Sequence, residues 1–139
     1  MAFGERKRRT ARIVASASPH LPPGSVVRQF VQVQSGRHAG ANATPITGPI
    51  IGDFVSTSSL LGIGVKPLAV LATDSELFVL PLVGARLLDV EPPLYRAALP
   101  GASVTLEDDK LTVDGATLFV MMGMGRRAKW LAEYAAAPR

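Results

Sequence analysis

Cysteine is absent from the 139 residues, which removes disulfides, thiolate zinc sites, iron–sulfur clusters and a cysteine nucleophile together. That is compatible with a reducing compartment, and a cytoplasmic location is the expectation. Histidine occurs twice, as His20 and His38. Neither has a carboxylate or a second ligand at a useful spacing, so both read as exposed loop residues. Charged residues make up 19%, which is low for a globular domain. A surface short of charge carries neutral or apolar patches, and such patches meet partners or membranes. Long apolar runs are also missing. The nearest, Ile46 to Ala72, is broken by Asp53, Lys66, Pro67 and several glycines, so no membrane-spanning helix is expected. The stretch Ala11 to Ala17 contains Arg12 and a serine, too polar for the core of a secretory signal.

Motifs that carry chemistry are lacking too. There is no G-x-S-x-G elbow, no phosphate-binding loop of the Walker type and no calcium-loop spacing. The acidic group Glu107, Asp108, Asp109 and Asp114 reads as solvated hairpin turns. No catalytic residue, metal ligand or cofactor is therefore expected, and no small-molecule substrate. The chain reads as non-enzymatic.

What is present is a 47% apolar chain, long enough to bury one core without staples. Its net charge of +4 is concentrated at one end. Arg6, Lys7, Arg8, Arg9 and Arg12 face Glu5 alone within residues 1–12, and the rest of the chain is balanced. The domain body is thus not a general nucleic-acid binder, and no aromatics interleave with the basic run to stack bases. The basic run is either an electrostatic tether or a solubilising tail.

Residues 5–18 carry helical spacing and end at Pro19; Leu21-Pro22-Pro23-Gly24 then breaks the chain. Residues 1–23 are read as a basic extension with a Pro-rich linker, and 24–139 as the domain. Ser25 to Gln34 reads as a strand, rich in β-branched residues. Residues 35–44 read as a loop, and Pro45 to Gly64 as a short amphipathic helix within a flexible loop. The apolar runs Lys66–Thr73 and Glu76–Val83 flank Asp74-Ser75 as a hairpin, with Pro81 suggesting an edge strand or its end. A short strand over Ala85–Val90 and a connection over Leu94–Leu99 follow. Strands over Ala102–Leu106, Lys110–Val113 and Ala116–Met122 come next, the last two joined by the hairpin signal Asp114-Gly115. Arg126 to Ala137 forms the final helix, with Trp130 and Tyr134 packing it on the sheet.

About seven strands followed by one helix carrying Trp130 make the chain mainly β (α+β). The string KPLAVLATDSELFVL, Lys66 to Leu80, resembles the second and third strands of small bacterial, especially actinobacterial, pleckstrin-homology-like (PH-like) domains. Thr73-Asp74 matches their hairpin, whereas Ser75-Glu76 replaces the usual basic pair. VVRQFVQVQSGRHAG resembles their first strand. The resemblance implies a half-open antiparallel barrel capped by a C-terminal helix, and no enzymatic activity. It implies no ligand, because fold does not fix function.

Two surface features remain as candidate contacts. Ile50, Ile51, Phe54, Val55 and Leu61 form an apolar face in the 45–64 segment for a protein partner, for self-association into an oligomer, or for a membrane. Arg6, Lys7, Arg8, Arg9 and Arg12, with Arg126 and Arg127 at the start of the last helix, are candidates for an anion or a lipid head group. The leading expectation is a binding or adaptor domain acting through protein contacts or self-association. The alternative is a peripheral membrane protein on the inner face of the membrane, held by the basic run and the 45–64 segment.

Overall fold

Val31, Val33, Leu68, Val70, Leu77 and Val79 are fully buried in one core, and Ala69, Leu71, Phe78 and Leu80, the residues between them, are fully buried in a second. Successive strand side chains point to opposite faces. The sheet that carries these residues is therefore covered on both sides. The structure, a computed structural model, describes residues 2–35, 66–121 and 123–137, with side chains from Arg8 onward. The expected helix and apolar face of the 45–64 segment (Ile50, Ile51, Phe54, Val55, Leu61) lie outside the described residues, as do His38 and the side chains of Arg6 and Lys7.

Helix α1 (Ala2–Ala17) runs into a single 3-10 turn, Ser18–His20, with Pro19 at its start. Strands β1 (Gln29–Gln34), β2 (Pro67–Ala72) and β3 (Glu76–Val83) form an antiparallel meander. The short β4 (Asp89–Val90) and β5 (Tyr95–Ala98) both pair with β3. Strands β6 (Val104–Glu107), β7 (Lys110–Val113) and β8 (Ala116–Val120) make a second meander, and α2 (Gly125–Ala136) follows. The order is β4-β3-β2-β1-β8-β7-β6, with β5 beside β3. Strands β1 and β8 pair only at Val33–Val120 and Gln34–Phe119. Helix α2 packs against both β1 and β6. The result is mainly β: a half-open antiparallel barrel with its C-terminal helix as the cap, as expected.

The inner core joins these strands to Ala128, Leu131 and Ala135 of α2, spaced so that they share one helix face. Trp130 does not pack as the sequence suggests. It is 47% exposed, because the buried stripe is set by Ala128, Leu131 and Ala135 and leaves Trp130 outside it. Tyr134 is half-buried, and its hydroxyl donates to the Thr73 carbonyl at 3.0 Å.

The outer core is closed by α1. Ile13 and Ala17 are fully buried against Phe30, Leu71, Phe78, Leu80 and Val90. Their spacing of four puts them on one side of the helix. Burying a side chain such as Ile13 contributes about 1.5–3 kcal/mol. The expected extension is thus a docked helix. This second cover explains why β2 and β3 read as unbroken apolar runs rather than as alternation.

Three further readings need correction. The stretch Leu94–Leu99 holds β5, whose Glu76–Ala98 to Val79–Tyr95 register makes it a strand through its partner rather than through its own composition. The strand expected over Ala85–Val90 begins only at Asp89; Gly84 to Leu87 is a turn closed by Leu87 N–H donating to the Gly84 carbonyl at 3.2 Å. Pro81 is not at an edge. It pairs with Leu68 of β2, and its carbonyl accepts from Glu91 N–H (3.0 Å) on the other flank. There the partner changes from β5 to β4, so the missing proline N–H falls at a break in the ladder.

Hairpin chemistry is as read. Asp114 and Gly115 both have positive φ, 47° and 91°, which a two-residue twisted hairpin turn requires. At the far end of β1 the Ser35 N–H donates to the Lys66 carbonyl (2.8 Å) and the Lys66 N–H donates to Ser35 Oγ (2.7 Å). This clasp closes the β1–β2 ladder at the point where residues 36–65 leave it.

Candidate anion-binding site

Arg8, Arg9 and Arg12 lie on α1, with Arg8 and Arg12 one turn apart. Burial of Ile13 and Ala17 fixes the rotation of the helix, so the flank carrying Arg9, Arg12 and Ser16 faces β4. Two contacts pin this flank: the Val90 N–H donates to Ser16 Oγ (3.1 Å), and Arg9 Nη2 donates to the Arg86 carbonyl (3.2 Å). The Gly84–Leu87 turn carries Arg86 to the same place. Gly84 (φ 89°) and Leu87 (φ 54°) are both left-handed, the geometry that folds the chain back sharply enough.

Arg8, Arg9, Arg12 and Arg86, with Leu88, line a pocket of about 550 Å³. A neighbouring pocket of about 330 Å³ shares Arg12, Arg86 and Leu88 and adds Asp89. Asp89 Oδ1 lies 3.8 Å from Arg12 Nη2, with both side chains more than half exposed, so the pair is loose. Among the described residues, four arginines thus face one carboxylate.

Three other arginines of the described surface, Arg28, Arg96 and Arg127, are engaged elsewhere. Arg28 Nε donates to Asp74 at 2.8 Å, and that hydrogen bond together with the carboxylate charge raises its pKa. Arg96 donates to Glu76 with two nitrogens, Nη2 at 2.8 Å, and stacks 5.4 Å from the Phe78 ring centre. The hydrogen bond from Arg96 holds the Glu76 carboxyl below its usual range. Arg127 sits 6.0 Å from the Phe30 ring centre. The guanidiniums of Arg8 and Arg86, by contrast, have no hydrogen-bond or ion-pair partner among the described residues.

The predicted basic residues therefore divide. Arg8, Arg9 and Arg12 are brought together, and Arg86, which the sequence reading missed, joins them. Arg126 and Arg127 start α2 and do not line this pocket. The helix there is capped by Met124 without a side-chain hydrogen bond. His20 is half-buried in the 3-10 turn. Among the described residues no group of His, Asp and Glu is placed to hold a metal ion. Asp114 is no solvated turn residue: it accepts from the Tyr95 hydroxyl and from the Ser103 N–H (2.6 Å), tying β5 to the second meander. Among the described residues no helix is long and apolar enough to cross a membrane.

No protein-family model matches the chain, and neither the curated proteins nor the solved structures give a match.

Proposed function

We propose that the chain is a non-catalytic binding domain of the PH-like kind that attaches to anionic membrane surfaces through the arginine flank of α1. One observation carries this reading: α1 is docked, so Arg8, Arg9 and Arg12 are held on a fixed face with Arg86 rather than strung along a free tail. Near an anionic leaflet each basic residue contributes about 1 kcal/mol. Four give about 4 kcal/mol, an affinity near millimolar, so attachment is reversible and salt-sensitive. Protein contacts or self-association through the 45–64 segment was the leading expectation from sequence. Those residues lie outside the described ones, so the arginine flank is the better-supported surface. An inner-leaflet, cytoplasmic position belongs to the same proposal.

The test is flotation of the full chain with vesicles of neutral phosphatidylcholine, alone or with 30 mol% (about one lipid in three) phosphatidylglycerol, at low and high salt. Flotation confined to anionic vesicles, lost at high salt and in a variant with Arg8, Arg9 and Arg12 changed to Ala, supports the reading. Equal recovery of that variant, or no flotation at all, overturns it.

A further inference from the structure

The open pocket between α1 and the β3–β4 turn gathers four arginines from two separate elements around one space. We infer that it is a site for a phosphate monoester of two or more negative charges, such as a phosphorylated head group carried by a lipid or free in solution. The inference rests on the membrane reading above and sharpens it by naming the ligand chemistry.

Charge is the first argument. Four arginines line one space, and Asp89 is the single carboxylate beside it among the described residues. That excess matches a dianion better than the single charge of a phosphodiester. Geometry is the second. A guanidinium is a planar fork of five donors, suited to gripping a phosphate through two parallel hydrogen bonds. A monoester offers three terminal oxygens and a diester only two, so a monoester engages more of the four forks. Arg8 on the helix and Arg86 on the turn line the same pocket, and neither guanidinium has a partner among the described residues. Arg9 is pre-set by its bond to the Arg86 carbonyl, and Arg12 lies 3.8 Å from Asp89, beyond a good hydrogen bond.

Size and texture complete the case. About 550 Å³ falls inside the range of small-ligand sites, ~300–1,000 Å³. It leaves room for the group that bears the phosphate, against the half-buried Leu88. Among the described residues no aromatic side chain lines the pocket, so these residues offer a nucleic-acid strand no ring to stack on.

The test compares the full chain with R86A and R8A in two assays. Vesicles containing phosphatidic acid (a monoester) or phosphatidylglycerol (a diester) are matched in surface charge, and glycerol 3-phosphate is titrated in solution by calorimetry. Both side chains are exposed, and the melting temperature of each variant checks that the fold is intact. The expected result is a preference for phosphatidic acid that falls about tenfold in each variant, with phosphatidylglycerol binding reduced much less. Equal binding of the two vesicles, unaffected by either substitution, would overturn the pocket while leaving membrane attachment standing. Binding of glycerol 3-phosphate that R86A abolishes, without flotation, would uphold the pocket and overturn the membrane reading. Binding in neither assay would overturn both.

Discussion

The hydroxyl of Ser16 accepts the backbone N–H of Val90 at 3.1 Å, joining a helix near the start of the chain to a two-residue strand far from it in sequence. Val90 is 93% buried, so its N–H has little water to turn to. Replacing Ser16 by Ala leaves that donor unpaired and is expected to cost about 1–3 kcal/mol. Amide exchange at Val90 should accelerate, while exchange in β7 and β8 stays unchanged. Equal acceleration throughout would mean that α1 and the barrel unfold as one.

Ile13 is the apolar anchor of the same helix. Ile13→Ala is expected to lower stability by about 2–4 kcal/mol in urea titrations, because the outer face of β2 and β3 closes over it. Ile13→Val should cost only about 1 kcal/mol. The Ala variant should also weaken anion binding, since Arg9 and Arg12 keep their place opposite Arg86 only while the helix is docked.

Gln32 lies on the outer face of β1, 4% exposed, and its Nε2 has no hydrogen-bond partner among the described residues. A buried donor without an acceptor is a standing cost. Gln32→Met, of similar length, is expected to raise stability by about 1 kcal/mol, read as an increased urea midpoint with unchanged slope.

Tyr95 donates its hydroxyl proton to Asp114. Partial burial first, then this hydrogen bond and the carboxylate charge, raise the Tyr95 pKa from 10.0 to about 12. The folded state therefore holds the proton over a range where the unfolded chain has released it. This contribution is complete below pH 10 and is lost as pH rises from about 10 to about 12. Tyr95→Phe should be less stable than the parent at pH 8 by about 1 kcal/mol, with the gap narrowing between pH 10 and 12. A gap that does not change with pH would contradict this account.

The β hairpins were legible because local chemistry dictates them. Asp114-Gly115 suits the positive φ that its turn demands, and Asp74-Ser75 falls where Thr73 Oγ1 accepts the Glu76 N–H at 3.1 Å. Strand β5 was not legible. Tyr-Arg-Ala-Ala has no strand pattern of its own and is extended because β3 offers it a ladder. The docking of α1 left an indirect trace: PLAVLA and ELFVLPLV are apolar at nearly every position, and a strand of that kind needs a cover on each face. Counting covers, rather than strands, would have demanded a second helix. Arg8, Arg9 and Arg12 could be found as a charge run, but Arg86 is an isolated residue in a turn, 77 positions from Arg9, and only tertiary structure brings it near.

The clasp between Ser35 and Lys66 fastens the β1–β2 ladder before the intervening chain departs. Register between β1 and β2 is thereby latched at the mouth of the connection, by Ser35, Lys66 and the strands behind them.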